Sequence, residues 1–230
     1  MSSSEAALRR CWRGLAGDGH GAIIDSIVAR HREPHRRYHT AVHVMWVLHH
    51  VDDLVDAARH ESVDAHVDAD VVRAAALFHD AIYDPRSSTN EHDSALLAVE
   101  SLRPIGWDER RLAHVATLIE ATAGHTRDDT DDTDDAGADG AGALEVAVLL
   151  DADLAILGAS PAEYRAYVSG VRAEYAHVAP DAWRTGRAAI LRSFLDRPNI
   201  YSTPTMHTAR EHLARANLAA EVLDLEGGIV

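Results

Sequence analysis

Apolar residues that return every three and four positions constrain this chain more than any other feature. Between residues 40 and 59, Val44, Val47, Leu48, Val51, Leu54 and Val55 form one stripe along a helix. The same spacing runs through most of the chain, where Ala, Leu, Arg and Glu abound and Thr, Phe and Tyr are sparse. Helical spacing outweighs strand alternation, so the expected fold class is all-α.

An apolar content of 47% over 230 residues supports a substantial core. Neither a repeat nor a linker marks an internal boundary, so one helical domain over residues 1–230 is expected. Besides 40–59, helices are expected over residues 70–78, 94–102, 111–122, 144–157, 161–175, 184–195 and 208–223. The second should stop near Tyr83-Asp84-Pro85, because Pro85 biases Asp84 away from helical geometry. Thr89 or Asn90 can cap the third.

Residues 126–143 break the pattern with clustered aspartates followed by a Gly/Ala segment, and are expected to be a mobile acidic surface loop. They fit a calcium loop poorly. With Asp132 as the first position, Ala136 stands fifth and Ala143 stands where the closing Glu belongs.

Charge narrows the partners. Lys and Arg number 22 against 37 Asp and Glu, a formal net charge of -15, which repels nucleic acid polymers and anionic membranes. The basic run Arg30-His31-Arg32-Glu33-Pro34-His35-Arg36-Arg37 leads into His39 and suits a small anionic substrate instead. A single cysteine, Cys11, leaves no disulfide framework and no Cys pairs for a zinc ribbon. No secretory leader or membrane span is expected from Met1-Ser2-Ser3-Ser4-Glu5 and the chain behind it, so the expected setting is cytoplasmic. The oligomeric state is left open, a homo-oligomer included.

The chemistry concentrates in a few residues. His79-Asp80 closes the apolar run from Val71 to Phe78, His39 and His43 precede it, and Asp153 follows in another apolar run. A lone histidine of this kind is ordinarily a core residue, but together these supply the nitrogen and oxygen donors of a divalent metal site. Glu145, Asp151 and Asp153 punctuate an otherwise apolar helix, where a carboxylate needs a positive partner and a metal ion is the strongest candidate. Asp151 and Asp153 are about 200° apart around a helix, so both cannot point squarely at one ion. His39 and His43, four apart, share a face if their helix begins at or before His39. Arg37, two residues before His39, is the arginine best placed for a phosphate.

A histidine, then His-Asp, then Asp on separate helices resembles the HD superfamily of metal-dependent phosphohydrolases. Residue by residue, His43 fits the first histidine, His79 and Asp80 the pair, and Asp153 followed by Leu154 the final aspartate. The likeness covers about residues 35–160 by motif. Tyr38-His39-Thr40-Ala41-Val42-His43 is similar to the Tyr-His-Asn-x-x-His stretch of cyclic nucleotide phosphodiesterases, with Thr40 in place of Asn. The longer second histidine motif of those enzymes is absent after Tyr83. The whole chain, including Asn90-Glu91, residues 150–158 and Ile200-Tyr201, is similar to bacterial HD-domain phosphohydrolases of unassigned substrate.

The resemblance implies an HD-type helical bundle holding a divalent ion (Mn, Ni, Co, Mg, Zn or Fe) on His43, His79, Asp80 and Asp153. It implies His39 as proton donor to the leaving group, and a small phosphorylated substrate, a nucleotide among the options. Glu91 corresponds to a position that can act as a base through water, and His125 to one used for phosphate or a second metal. Asp151 can orient a ligand histidine or pair with an arginine. Two rival activities share the fold: a di-iron oxygenase, which needs further ligands such as His125 and Glu91, and a regulatory module that binds metal and nucleotide without turnover.

Overall fold

A computed structural model describes residues 2–61, 67–124 and 140–227. Every regular element in them is helical, and no strand occurs among the described residues. Nor is any helix among them long and apolar enough to cross a membrane. The contacts divide the chain into two compact units, Met1–Ala152 and Asp153–Val230. The division falls inside an apolar stretch with no Pro/Gly-rich linker to mark it, which is why no boundary stands out in the sequence.

The first unit opens with α1 (Ser3–Ala16) and α2 (Gly21–Arg30), two helices beyond those expected from the sequence. The signal for α1 was a capping box: Ser2 accepts from the Glu5 amide while the Glu5 carboxylate accepts from the Ser2 amide. Leu8 and Trp12, four apart, supply its buried face. Then come α3 (Ala41–Glu61), α4 (Ala69–Phe78), α5 (Asn90–Leu102) and α6 (Glu109–Glu120). α3 packs on α1 and α4, α4 on α5 and α6, and α5 on α6. At the centre α4 buries Val71, Val72, Leu77 and Phe78 almost completely, and Asp68 caps it by accepting from the Val71 amide at 3.2 Å.

α4 ends at Phe78, well before Pro85. Its end is made by side chains instead: the His79 ring binds the Ala76 carbonyl, and Arg36 takes the carbonyls of Asp80 and Ala81. The chain behind this turn is clipped to α5. Ser94 Oγ accepts from the Ile82 amide, and Asn90 exchanges two hydrogen bonds with the Asp84 backbone.

α7 (Gly140–Asp153) takes in the last four residues of the expected acidic loop. The rest of that loop and His125 lie outside the described residues. Glu145, buried in α7, meets partners from other segments. Its Oε1 accepts from the Asp68 amide, and its Oε2 lies 3.0 Å from His114 Nε2.

The second unit begins where α7 gives way to a tighter 3-10 turn, Leu154–Gly158, although the composition favours continuous helix to 157. Side chains from α10 (Pro204–Gly227) and the segment before it hold that turn. Tyr201 Oη donates to the Leu154 carbonyl, Arg210 to those of Ala155 and Gly158, and Asn217 to those of Leu157 and Ala159. α8 (Pro161–Glu174) and α9 (Pro180–Leu195) complete the unit, and a buried cluster ties them to α10: Arg187 and the Tyr164 hydroxyl both donate to Glu221.

Two outcomes test this packing. A Cβ on Gly158 would stand 2.6 Å from Arg210 Cβ and 2.8 Å from the Arg210 carbonyl oxygen, so α10 must shift to admit it. Gly158→Ala should therefore lose about 1–3 kcal/mol in denaturant unfolding. His114 is raised above its ordinary value, chiefly by its hydrogen bond with the Glu145 carboxylate, against the opposing effect of burial. A group raised on folding stabilises below its unfolded value, about 6.5, and loses that contribution as pH climbs through the folded value. The gap in Tm between the parent and His114→Gln should accordingly be wider at about pH 5.5 than at about pH 8.5.

Candidate metal centre

α3 and the end of α4 carry the donors. His43 sits in the first turn of α3 and is 4% exposed; His79 caps α4 and is 2% exposed. Asp80, half-buried, follows in the same turn. Their ligand atoms close a triangle: His43 Nε2 to His79 Nε2 is 3.2 Å, His43 Nε2 to Asp80 Oδ2 is 3.2 Å, and His79 Nε2 to Asp80 Oδ2 is 3.1 Å.

The tautomer of His79 gives this triangle its meaning. A carbonyl oxygen can only accept, so the 2.9 Å contact of His79 Nδ1 with Ala76 O places a proton on Nδ1. In the neutral ring Nε2 then carries the lone pair, and it faces the Asp80 carboxylate and the His43 nitrogen. Three electron-rich atoms at this spacing need a positive charge between them, either a proton or a cation. Burial would push the Asp80 carboxyl up, but where the proton supplies that charge, protonated His79 and His39 and hydrogen bonds from His43 and His79 hold it well below the ordinary range.

The donor set fits a divalent ion. Neighbouring donors about 2.1 Å from an ion lie about 3.0 Å apart in an octahedral shell and about 3.4 Å apart in a tetrahedral one. The observed edges of 3.1–3.2 Å fall between. Among the described residues, His43, His79 and Asp80 form the group able to hold an ion. Asp153, the other expected ligand, ends α7 where the second unit begins, and is half-buried.

His39 lies in the turn ahead of α3 rather than on the helix, so the condition for a shared helical face is not met. The turn nonetheless brings its ring 5.7 Å from that of His43 and stacks it on Tyr83 at 4.2 Å. Glu91 stands half-buried in the first turn of α5. Asp151 is buried in α7, 1% exposed. Arg37 is exposed and folds back on its own loop, donating to the Pro34 carbonyl at 2.6 Å.

The buried arginine of the basic run is Arg36, which the sequence reading passed over. It donates to the carbonyls of His39, Asp80 and Ala81 and pairs with Glu33. Beside it the buried His31 is pushed down to about 3, first by burial and then by the Arg36 charge. Arg32 pairs with Glu5. The run therefore spends much of its charge on the protein's own carboxylates and carbonyls. Its only advance signal was position, between the Glu33-Pro34 turn and His39.

Comparison with protein-family models, with curated proteins and with solved structures returns no match.

A divalent ion that binds the folded trio must stabilise it by mass action. At a concentration about 100 times its Kd, Co²⁺ or Mn²⁺ should add about 2.7 kcal/mol and raise the Tm of the parent. The Tm of His79→Ala should not respond.

Proposed function

We propose that this chain is a metal-dependent phosphohydrolase that acts on a small phosphate ester, in line with its resemblance to the HD superfamily. The observation that carries the reading is the triangle of His43, His79 and Asp80, with His79 Nε2 turned to it by the Ala76 carbonyl. Asp153 joins the ligand set on the strength of the motif. A bound divalent ion supplies Lewis acidity, lowering the pKa of water and offsetting charge on the phosphoryl group.

The chain's own residues do the rest. His79, pinned through Nδ1, keeps Nε2 turned to the ion without a search through ring orientations. His39 gives a ring proton to the departing alkoxide, and its stacking on Tyr83 holds the imidazole at the mouth of the site. Tyr83 is itself anchored, since its carbonyl accepts from His35 at 2.8 Å. Glu91 orients water. Arg37, on release of its loop carbonyls, and His125 meet the phosphate oxygens.

Metal analysis of purified protein, joined to a screen of nucleotides and sugar phosphates with manganese, nickel and cobalt, tests this. The parent should carry a divalent metal and release phosphate, and Asp80→Ala should lose both. His39→Gln should keep the metal while kcat falls about 10²–10⁴-fold. A metal-loaded parent that hydrolyses none of these esters would overturn the hydrolytic reading. Stoichiometric iron with an oxygen-dependent product would replace it with oxygenase chemistry.

A further inference from the structure

We propose that Arg36 is the positioning residue that sets the proton-donating His39 against the ion-binding trio; the assignment of roles rests on the function proposed above. The Arg36 side chain is wholly buried, in contrast to Arg32 and Arg37 on either side of it. One guanidinium reaches two chain segments far apart in sequence. Nη1 donates to the Asp80 carbonyl at 2.7 Å and to the His39 carbonyl at 3.1 Å, while Nη2 donates to the Ala81 carbonyl at 3.1 Å. Nε is held by Glu33 Oε2 at 3.0 Å.

The peptides of His39 and Asp80 thus share a single donor atom. Moving one relative to the other stretches a bond to Nη1. A second route runs through the ring between them: the Arg36 Cζ stands 5.4 Å over Tyr83, and Tyr83 stacks on His39. A planar fork meets these demands together because its donors diverge at fixed angles toward separate acceptors. An ammonium on a flexible stem keeps the charge but cannot hold Glu33 and both segments in that geometry.

The test uses full-length protein, Arg36→Lys and Glu33→Gln, with Co²⁺ as the probe. Affinity and the visible absorption of bound Co²⁺ are measured beside the Tm of the metal-free protein. Folded Arg36→Lys should bind Co²⁺ about tenfold to hundredfold more weakly, with an altered spectrum. On a phosphate ester that the parent turns over, kcat should drop about a hundredfold while KM stays within about twofold. A lower Tm with parental Co²⁺ affinity and spectrum would mark Arg36 as structural alone and overturn the proposal. Should the parent hydrolyse no ester, the proposed function fails, whereas the Co²⁺ measurements still decide whether Arg36 positions the trio. Should Arg36→Lys fail to fold, Glu33→Gln, which keeps the guanidinium and frees its Nε, must shift Co²⁺ affinity and spectrum in the same direction by less; parental values there would overturn the proposal too.

Discussion

Two imidazole nitrogens and a carboxylate oxygen held 3.1–3.2 Å apart repel one another unless they share a positive charge, and much of the first unit is arranged to keep them there. α3 supplies His43 from its first turn, so that ring is carried on a helix rather than on a loop. α4 supplies His79 at its end, where the ring doubles as a cap on the Ala76 carbonyl. The cap settles the tautomer, and the tautomer settles which nitrogen faces the trio. Arg36 on one side, and Ser94 and Asn90 of α5 on the other, then hold the turn that carries Asp80.

Three buried carboxylates elsewhere in the described residues show what ordinary compensation looks like. Glu145 accepts from a backbone amide and lies against His114. Glu211 accepts from the amides of Ile200 and Tyr201 and pairs with Arg215. Glu221 is met by the Arg187 guanidinium and the Tyr164 hydroxyl. Each meets at least one donor that always carries its proton, a backbone amide, an arginine or a tyrosine hydroxyl, which is how a low-dielectric interior tolerates a charge. Asp80 differs, because what faces its Oδ2 is a pair of imidazole nitrogens that can donate only when protonated. That difference marks His43, His79 and Asp80 as a group that could hold a cation, where the other three carboxylates complete a core.

Much of this was legible in the sequence, and the parts that were not share a cause. The apolar stripe of α3, the run of α4 and the faces of α5, α6 and the last three helices follow from spacing that depends on neighbouring residues alone. The trio was legible because a His-Asp pair at the end of an apolar run is an unusual composition, not because its geometry was visible. α1 and α2 escaped because arginines crowd α1 around only two large buried residues and the stripe of α2 is limited to Ile24, Ile27 and Val28. The 3-10 turn at Leu154–Gly158 escaped because the residues that tighten it, Tyr201, Arg210 and Asn217, lie 47 to 60 positions further on. Glu145 was read as calling for a metal, since the amide of Asp68 and the ring of His114 that satisfy it belong to other helices.

The basic run ahead of His39 carries the same lesson into function. In a chain of formal charge -15 it stands out as a place to attract an anion. In the fold, Arg32 is committed to Glu5, Arg36 to Glu33 and three carbonyls, and Arg37 to the Pro34 carbonyl. A charge already engaged with a carboxylate adds little net field at the mouth of the site, and one held by carbonyls, as Arg37 is, must give up those bonds before it can meet a ligand. The run is better understood as scaffold: its cations fasten the carbonyls of this turn and of the turn after α4 so that His39 can be presented. On the proposed phosphate-ester reading, the attraction would then come chiefly from an ion held by His43, His79 and Asp80, and substrate binding should follow metal occupancy more closely than ionic strength.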